Sequence, residues 1–183
     1  MSGELKLKKN VLSEQQMSRI LRRMAGEILE HNGGVEGLML VGIRTRGVPL
    51  AEALAAEIER SEGQKVPIGV LDITLYRDDL SVIAPQPVVK ETRLPGPVEE
   101  QTLVLCDDVL YTGRTIRAAL DALTDYGRPN AVQLAVLIDR GHRELPIQAD
   151  FVGRKIASDT DELVEVRFVA TDGEDKVMIM EPE

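Results

Sequence analysis

Residues 103–115, with the sequence LVLCDDVLYTGRT, restrict the possible fold of this chain more than any other segment. The first four are apolar and predict a buried strand, which the acidic pair Asp107 and Asp108 follows. After the turn at residues 112–115, apolar residues recur at helical spacing, so the turn leads into a helix. The acids and the turn therefore lie at the carboxyl end of a strand, where parallel α/β sheets bind their ligands.

The acids and the turn suit different parts of one ligand. A helix N-terminus offers free N–H groups and the positive end of the helix dipole, which favour a phosphate. The carboxylates of Asp107 and Asp108 would repel a phosphate but can accept hydrogen bonds from sugar hydroxyls. A ribose with a 5′-phosphate satisfies both halves, whereas the simplest alternative is a strand-to-helix turn whose Asp and Thr side chains only cap the helix.

Composition and missing motifs exclude several classes of protein. The 183 residues fit one domain, 1–183, and a net charge of −9 argues against general nucleic-acid binding. No Gly-Lys pair occurs, which excludes a P-loop, and no apolar run approaches the ~20 residues of a membrane span. The N-terminus lacks a secretory signal and the single cysteine cannot form an internal disulfide. We therefore expect a cytoplasmic protein without a membrane partner.

The hydrophobic pattern predicts an alternation of strands and helices. Ser13 and Gln16 form a capping box for a first helix, which ends at residues 32–34. The other predicted elements are strands at 38–43, 66–75, 103–106, 132–138, 163–170 and 177–180, and helices at about 49–60 and 116–126. Residues 76–100 hold four prolines and predict an excursion or hairpin. This alternation is typical of an α/β fold with a central, mainly parallel sheet flanked by helices.

Two further loops carry arginines that suit a pyrophosphate. Residues 44–47, Arg-Thr-Arg-Gly, follow the strand at 38–43; arginine matches phosphate geometry, and glycine permits close backbone approach. The alternative is a surface turn with solvated arginines. Arg77 could close over a phosphate, or it could lie in an ordinary charged hairpin tip. The loops after residues 43, 106 and 138 all follow strands of the predicted parallel sheet, so they should converge at one edge.

The segment at 103–115 resembles the phosphoribosyl-pyrophosphate (PRPP) motif of the type I phosphoribosyltransferases. VGIRTRG, DITLYRDDL, CDDVLYTGRT, GRP and DRGHRELPI also stand in an order and spacing similar to the PyrR family. Members of that family regulate attenuation of pyrimidine operons and are also uracil phosphoribosyltransferases. The similarity runs from about Leu12 to Gly153, and it implies the type I phosphoribosyltransferase fold with a small hood and a flexible loop.

The resemblance implies that uracil reacts with PRPP to give UMP and pyrophosphate, with Mg²⁺ held mainly by PRPP and UMP or UTP as further ligands. It assigns catalytic roles to Asp107, Asp108, Arg46 and Arg77. The residues that it implies for PRPP and UMP are Thr45, Arg46, Asp107, Asp108, Val109, Leu110, Tyr111, Thr112, Gly113, Arg114 and Thr115, and those for uracil are Ile138, Asp139 and Arg140. It also implies a non-proline cis peptide in the pyrophosphate loop, which we place between Thr45 and Arg46.

The same family binds messenger RNA, and UMP favours that binding. The resemblance implies that a pyrimidine-operon leader RNA contacts Arg19, Arg22, Arg23, His142, Arg143 and Arg154, and that the protein forms a dimer or a higher homo-oligomer. This chain departs from the family pattern at Arg22, Gly26 and Gln148, where threonine, histidine and arginine are typical. Two alternatives stay open: an RNA-binding nucleotide sensor with negligible catalysis, and a phosphoribosyltransferase without an RNA role.

Overall fold

The computed structural model describes residues 3–79 and 90–183. Within them lie eight strands, four helices and two short 3₁₀ turns, the latter at Thr74–Tyr76 and Thr124–Tyr126. In chain order the elements are β1 (Leu5–Leu12), α1 (Glu14–Asn32), β2 (Leu38–Ile43), α2 (Gly47–Glu62), β3 (Ile68–Leu71), β4 (Thr102–Leu110), α3 (Arg114–Leu123), β5 (Ala131–Asp139), β6 (Phe151–Lys155), β7 (Leu163–Arg167), α4 (Val169–Asp172) and β8 (Lys176–Pro182). None of these helices combines the length and the hydropathy needed to cross a membrane.

A five-stranded parallel sheet in the order β3-β2-β4-β5-β6 forms the centre of the molecule. β2 is buried along its whole length, as expected for a parallel strand covered on both faces. Leu38 and Leu40 contribute to the core beneath α1 and α2, whereas Met39 and Val41 contribute to the core beneath α3. The strands β2, β4 and β5 end at the same edge, which confirms the predicted α/β fold.

A second, antiparallel sheet in the order β1-β8-β7 joins the two ends of the chain and forms the hood. β1 is absent from the predicted strands although Leu5 and Leu7 alternate with lysines, because the alternation spans only four residues, and in the structure those leucines stay about half exposed. β6, whose five residues FVGRK end in two charges, is absent from them as well. Both strands are determined mainly by hydrogen-bonded pairing with a neighbouring strand: β1 pairs with β8, and β6 pairs with β5.

Three predicted strand boundaries are wrong. The strand expected at 66–75 is only β3, because the carboxylate of Asp72 accepts hydrogen bonds from the N–H (2.8 Å) and hydroxyl (2.6 Å) of Thr74 and turns the chain. β4 does not end before the acids but continues through them, because it stays paired with β5 as far as Leu110. The strand expected at 163–170 ends at Arg167, and α4 follows it.

Only part of the predicted excursion at 76–100 can be compared with the structure, because residues 80–89 lie outside the described part of the chain. The section that follows them returns to the sheet edge. Val70 and Arg93 form an antiparallel bridge, and the Arg44 guanidinium donates to the Glu91 carbonyl oxygen at 3.0 Å. Residues 91–93 therefore cover the outer edge of β3.

Candidate active site

A cavity of about 460 Å³ opens at the carboxyl edge of the central sheet, where β2, β3 and β4 end. Its lining comes from these strand ends, from the start of α3 and from both ends of the excursion: Ile43, Arg44, Thr45, Arg46, Asp72, Ile73, Thr74, Arg77, Lys90, Asp107, Asp108, Val109 and Thr115. The structure thus brings together the predicted pyrophosphate loop, the acidic pair and Thr115 of the turn at 112–115, which we call the phosphate turn.

Asp107 and Asp108 present two carboxylates to this cavity from the end of β4. Asp107 is 8% exposed and accepts the backbone N–H of Asp108 at 2.9 Å, while Asp108 accepts that of Val109 at 2.9 Å. Burial raises the pKa of Asp107, and the neighbouring Asp108 carboxylate raises it further. Burial also raises the pKa of Asp108, although hydrogen bonds and the Arg46 guanidinium oppose that shift. Each carboxylate has a second oxygen that can accept a hydrogen bond from a sugar hydroxyl.

The loop after β2 lies beside the acids because Gly47 packs directly on β4. A Cβ at this position would overlap the carbonyl oxygen of Cys106 and would lie 3.3 Å from the Cα of Asp107. The glycine is therefore required where two backbones meet. The cis peptide of this loop joins Arg44 to Thr45 and not Thr45 to Arg46 as predicted, and Arg46 has the right-handed helical backbone that leads into α2.

The turn at 112–115 has a backbone geometry that suits an anion. Gly113 has a φ of +94° and precedes α3, whose first turn leaves N–H groups without partners inside the helix. The first helical hydrogen bond runs from the Arg117 N–H to the Gly113 carbonyl oxygen at 3.0 Å. The Arg114 side chain turns away from the turn toward Asp78 (2.7 Å) and Glu144 (3.1 Å). Backbone amides, rather than the Arg114 guanidinium, are therefore the groups available to a phosphate.

Arg77 stands between the main cavity and a smaller one of about 190 Å³, which borders the phosphate turn. Its guanidinium forms two hydrogen bonds of 3.0 Å with the Asp79 carboxylate. The neighbouring Asp78 pairs with Arg114 at 2.7 Å and with Arg117 at 3.5 Å. The start of the excursion is thus bound to the first turn of α3.

The predicted uracil contacts Ile138 and Arg140 lie at the end of β5, where their own groups have protein partners. Ile138 is buried in the sheet, and Arg140 is 5% exposed. The Arg140 guanidinium lies 4.0 Å from the ring centroid of Tyr111 and donates to Ser158 Oγ (3.0 Å) and the Asp159 carbonyl oxygen (2.7 Å). This side chain therefore fixes Tyr111 of the PRPP segment, and its contact with uracil stays a prediction.

Asp139 and Arg143 form a network behind the PRPP segment, and both line a second cavity of about 490 Å³ rather than the main one. Arg143, predicted to contact RNA, donates to the Asp139 carboxylate (2.7 Å), the Tyr111 carbonyl oxygen (2.8 Å) and the Ile147 carbonyl oxygen (2.8 Å). The side chain of Arg143 is 23% exposed. Its guanidinium therefore joins the PRPP segment to the end of β5, which leaves little of it for an outside partner.

The remaining predicted RNA contacts lie at or near the outer edge of β6. Arg23 of α1 donates to the carbonyl oxygens of Val152 (3.3 Å) and Gly153, so the first helix and the segment after DRGHRELPI are neighbours. All five of these residues are exposed: Arg19, Arg22, Arg23, His142 and Arg154. One basic face formed by α1 and β6 is therefore possible, with Arg23 partly occupied by the protein itself.

Two carboxylates near the cavity were missed from the sequence. Asp72 directly follows β3, and the acidic pair lies in the carboxyl-terminal half of β4, so an acid after an apolar run was an available signal. Asp172 of α4 carries no local signal, because it reaches Arg46 from 126 residues away. Its contact with Arg46 forms only because the fold brings the hood close to the end of β2.

Gly113→Val is expected to weaken the binding of PRPP and UMP alike, because both ligands carry the 5′-phosphate. The added Cβ would meet Ile147 at 3.1 Å, and valine disfavours a positive φ. Losing a hydrogen bond to a charged phosphate costs about 1.5–3 kcal/mol, or roughly 10- to 150-fold in affinity. Calorimetry measures the two affinities. Gly63→Val is the control, because Gly63 has a φ of +69° at the end of α2 and open space around it. Unchanged affinity for both ligands would count against the phosphate turn.

Comparison with protein families shows which known proteins this chain resembles. The family model described as the phosphoribosyl transferase domain matches residues 8–168. The bifunctional protein PyrR of Deinococcus radiodurans is 54% identical over 176 residues, which cover 96% of each chain. The protein of the same name from Thermus aquaticus is 55% identical over 98% of this chain and 99% of its own, and that from Chloroflexus aurantiacus is 58% identical over 94% of each.

Solved structures share the fold at much lower sequence identity. A hypoxanthine phosphoribosyltransferase from Staphylococcus aureus has a TM-score of 0.70 and 19% identity, over 97% of this chain and 93% of that one. The hypoxanthine phosphoribosyltransferase of Trypanosoma cruzi has a TM-score of 0.71 and 15% identity, over 97% and 98%. The parallel sheet with its carboxyl-edge cavity and hood is therefore the fold of the phosphoribosyltransferases.

Proposed function

This chain belongs to the phosphoribosyltransferase family and, within it, to the bifunctional PyrR proteins, and we propose that it converts uracil and PRPP to UMP and pyrophosphate and binds pyrimidine-operon leader RNA when UMP is present. One observation carries the enzymatic part. Asp107 and Asp108 line the same cavity as residues 44–46, and Thr115 of the turn at 112–115 lines both this cavity and the smaller one beside it. Sugar, 5′-phosphate and pyrophosphate can each find a suitable group there.

In the proposed reaction, N1 of uracil forms a bond to C1′ of PRPP and loses its proton, while the bond from C1′ to the pyrophosphate oxygen breaks and the departing pyrophosphate or solvent takes up the proton. Asp107 and Asp108 accept hydrogen bonds from the ribose hydroxyls, and the amides of residues 112–115 hold the 5′-phosphate. Thr45 and Arg46 meet the pyrophosphate, and Arg77 closes over it from the excursion. Positioning and neutralisation of the leaving group supply the rate enhancement. No covalent nucleophile is needed, and burial raises the pKa of the Cys106 thiol, which removes it as a candidate.

The carboxylates at the cavity are of the chemical type that Mg²⁺ prefers, because they supply hard oxygen donors. Within residues 3–79 and 90–183, however, no cluster of three or more His, Cys, Asp or Glu side chains is arranged to hold a metal ion. We therefore propose that Mg²⁺ arrives with PRPP and is held mainly by its oxygens. The ion would neutralise charge on the pyrophosphate, while Asp107, Asp108 and Asp72 are the protein carboxylates within reach of such a complex.

The direct test is formation of UMP from labelled uracil and PRPP in the presence of Mg²⁺. UMP and pyrophosphate in equal amounts are expected. A protein that binds UMP in calorimetry but makes none would instead be a nucleotide sensor, and activity with another base alone would assign a different phosphoribosyltransferase.

The RNA part of the proposal rests on the exposed arginines of α1, and it predicts a change in the salt dependence of binding. Arg22→Gln should weaken binding of the leader hairpin and lower the slope of log affinity against log salt by roughly 0.7–0.9, the value for one lost phosphate contact. Synthesis of UMP should stay unchanged. Filter binding with and without UMP measures both effects.

Arg60→Gln is the control for the RNA prediction, because Arg60 is an exposed helical arginine that pairs with Glu57 on α2, away from β6. Its RNA affinity and salt slope should equal those of the wild type. If the wild type binds the leader hairpin no more tightly than an unrelated hairpin, then Gly26 and Gln148 mark a lost RNA site, and the protein is a phosphoribosyltransferase only.

A further inference from the structure

The hood contributes a side chain to the pyrophosphate end of the cavity. Arg46 lines this cavity from the start of α2, and its guanidinium Nη1 forms an ion pair with Oδ2 of Asp172 in α4. The two side chains are 38% and 18% exposed, so this pair is less open to solvent than the ion pairs of Arg77 and Arg114. Asp172 lies 126 residues after Arg46 in the sequence, and its link to the cavity is this ion pair.

The carboxylate of Asp172 is itself held in place by the backbone of its own turn. Its Oδ2 accepts the N–H of Phe168 at 2.9 Å, and its N–H donates to the carbonyl oxygen of Phe168 at 2.7 Å. Phe168 is buried in the core that the hood shares with α1 and α2. The hydrogen bond from Arg46 lowers the pKa of Asp172, so the carboxylate is ionised at neutral pH. A fixed anion therefore faces the arginine.

Several carboxylates lie near the Arg46 guanidinium, so a fixed partner is needed to hold it in one orientation. Asp108 and Glu165 also attract its guanidinium, and Asp108 is one of the two acids that we assign to the ribose. An Arg46 side chain that turned to Asp108 would occupy both the ribose acceptor and the donors meant for pyrophosphate. Asp172 uses one Nη of the guanidinium and leaves the other Nη and Nε as donors.

We propose that Asp172 is a positioning residue that holds the Arg46 guanidinium ready for the pyrophosphate of PRPP and away from Asp108. The proposal rests on the proposed function, since it assigns a role within the same transfer reaction. It makes the hood part of the pyrophosphate site, although the hood residue touches no substrate. Substitution of Asp172 should consequently weaken the binding of ligands that contain the pyrophosphate group and leave the binding of other ligands unchanged.

The test compares Asp172→Asn with Asp175→Asn. Asp175 accepts the N–H of Val169 at 2.7 Å in the same turn and does not contact Arg46. Losing one charged partner of Arg46 should raise KM for PRPP, and for pyrophosphate in the reverse reaction, roughly 5- to 10-fold. Calorimetry should give an unchanged affinity for UMP, which lacks the pyrophosphate group. Asp175→Asn should leave all three values unchanged.

A second comparison shows whether Asp172 acts through Arg46. In an Arg46→Gln background, Asp172→Asn should add no further rise in KM for PRPP, whereas independent effects would multiply and overturn the proposal. Equal KM values for Asp172→Asn and Asp175→Asn would overturn it as well, and so would a parallel loss of UMP affinity. If circular dichroism shows that Asp172→Asn is unfolded, Asp172→Ser replaces it, because serine removes the charge but keeps an oxygen that can accept the Phe168 N–H, and the same rise in KM is expected. A wild type that makes no UMP would instead contradict the proposed function.

Discussion

Replacing Asp107 or Asp108 by Asn is expected to lower the turnover of UMP synthesis while the protein stays folded. Each substitution keeps an oxygen for the backbone N–H that the carboxylate accepts at 2.9 Å. It removes the negative charge that a ribose hydroxyl would bond. A hydrogen bond to a charged group is worth about 1.5–3 kcal/mol, which corresponds to a loss of roughly 10- to 150-fold in rate. Steady-state kinetics with PRPP and uracil measure it.

The same substitutions should raise thermal stability at neutral pH, which separates a functional loss from a structural one. Burial raises the pKa of both acids in the folded protein. In the unfolded chain their pKa values are lower, so the folded state loses stability as pH rises through the folded pKa. Asn carries no charge and avoids this loss. The melting temperature of Asp107→Asn should therefore exceed that of the wild type near pH 7, and the difference should shrink in acid.

Asp121→Asn provides the control for the acidic pair. Asp121 is an exposed acid on α3 whose partner in the structure is Arg117 at 3.4 Å. Its loss should leave turnover unchanged. Full activity in both Asp107→Asn and Asp108→Asn would remove the ribose assignment, whatever their melting temperatures.

The elements that position the cavity could be predicted because their signals are local. The capping box of Ser13 and Gln16 starts α1 as predicted, with hydrogen bonds of 2.9 and 3.3 Å. The apolar run at 38–43 predicts β2 with its exact bounds. The acidic pair and the turn at 112–115 fall at one sheet edge because parallel strands place all their carboxyl ends there.

The features that escaped prediction depend on long-range partners. β6 becomes a strand through pairing with β5, since FVGRK shows no strand pattern, and β1, which has only the short alternation LKLK, is held by pairing with β8. The direction of a long side chain is equally hidden. Arg114 turns to Asp78 and Glu144, and Arg143 turns inward to Asp139, because the tertiary fold places these carboxylates nearby. The motif therefore predicted the position of the cavity, but it could not tell which way the guanidinium groups turn.

Gly47→Ala is expected to destabilise the protein and to lower its activity together. The new methyl group would overlap the carbonyl oxygen of Cys106 at the end of β4, and neither backbone can move aside as a side-chain tip could. Overpacking of this kind costs typically about 1–3 kcal/mol. For a chain of this length, each kcal/mol lowers the melting temperature by about 2–4 °C. Differential scanning calorimetry measures the change.

Gly26→Ala is the matched control with the opposite sign. Gly26 lies in the exposed face of α1 with no atom within 4 Å of an added Cβ, so alanine should stabilise that helix by about 1 kcal/mol. Its UMP synthesis should be unchanged. Gly47→Ala, in contrast, separates α2 from β4 and moves Arg46 away from Asp107 and Asp108, so turnover should fall even at temperatures where the variant is fully folded. An unchanged melting temperature and rate would show that the β4 backbone yields to the methyl group, and that Gly47 does not set the distance between the pyrophosphate loop and the acids.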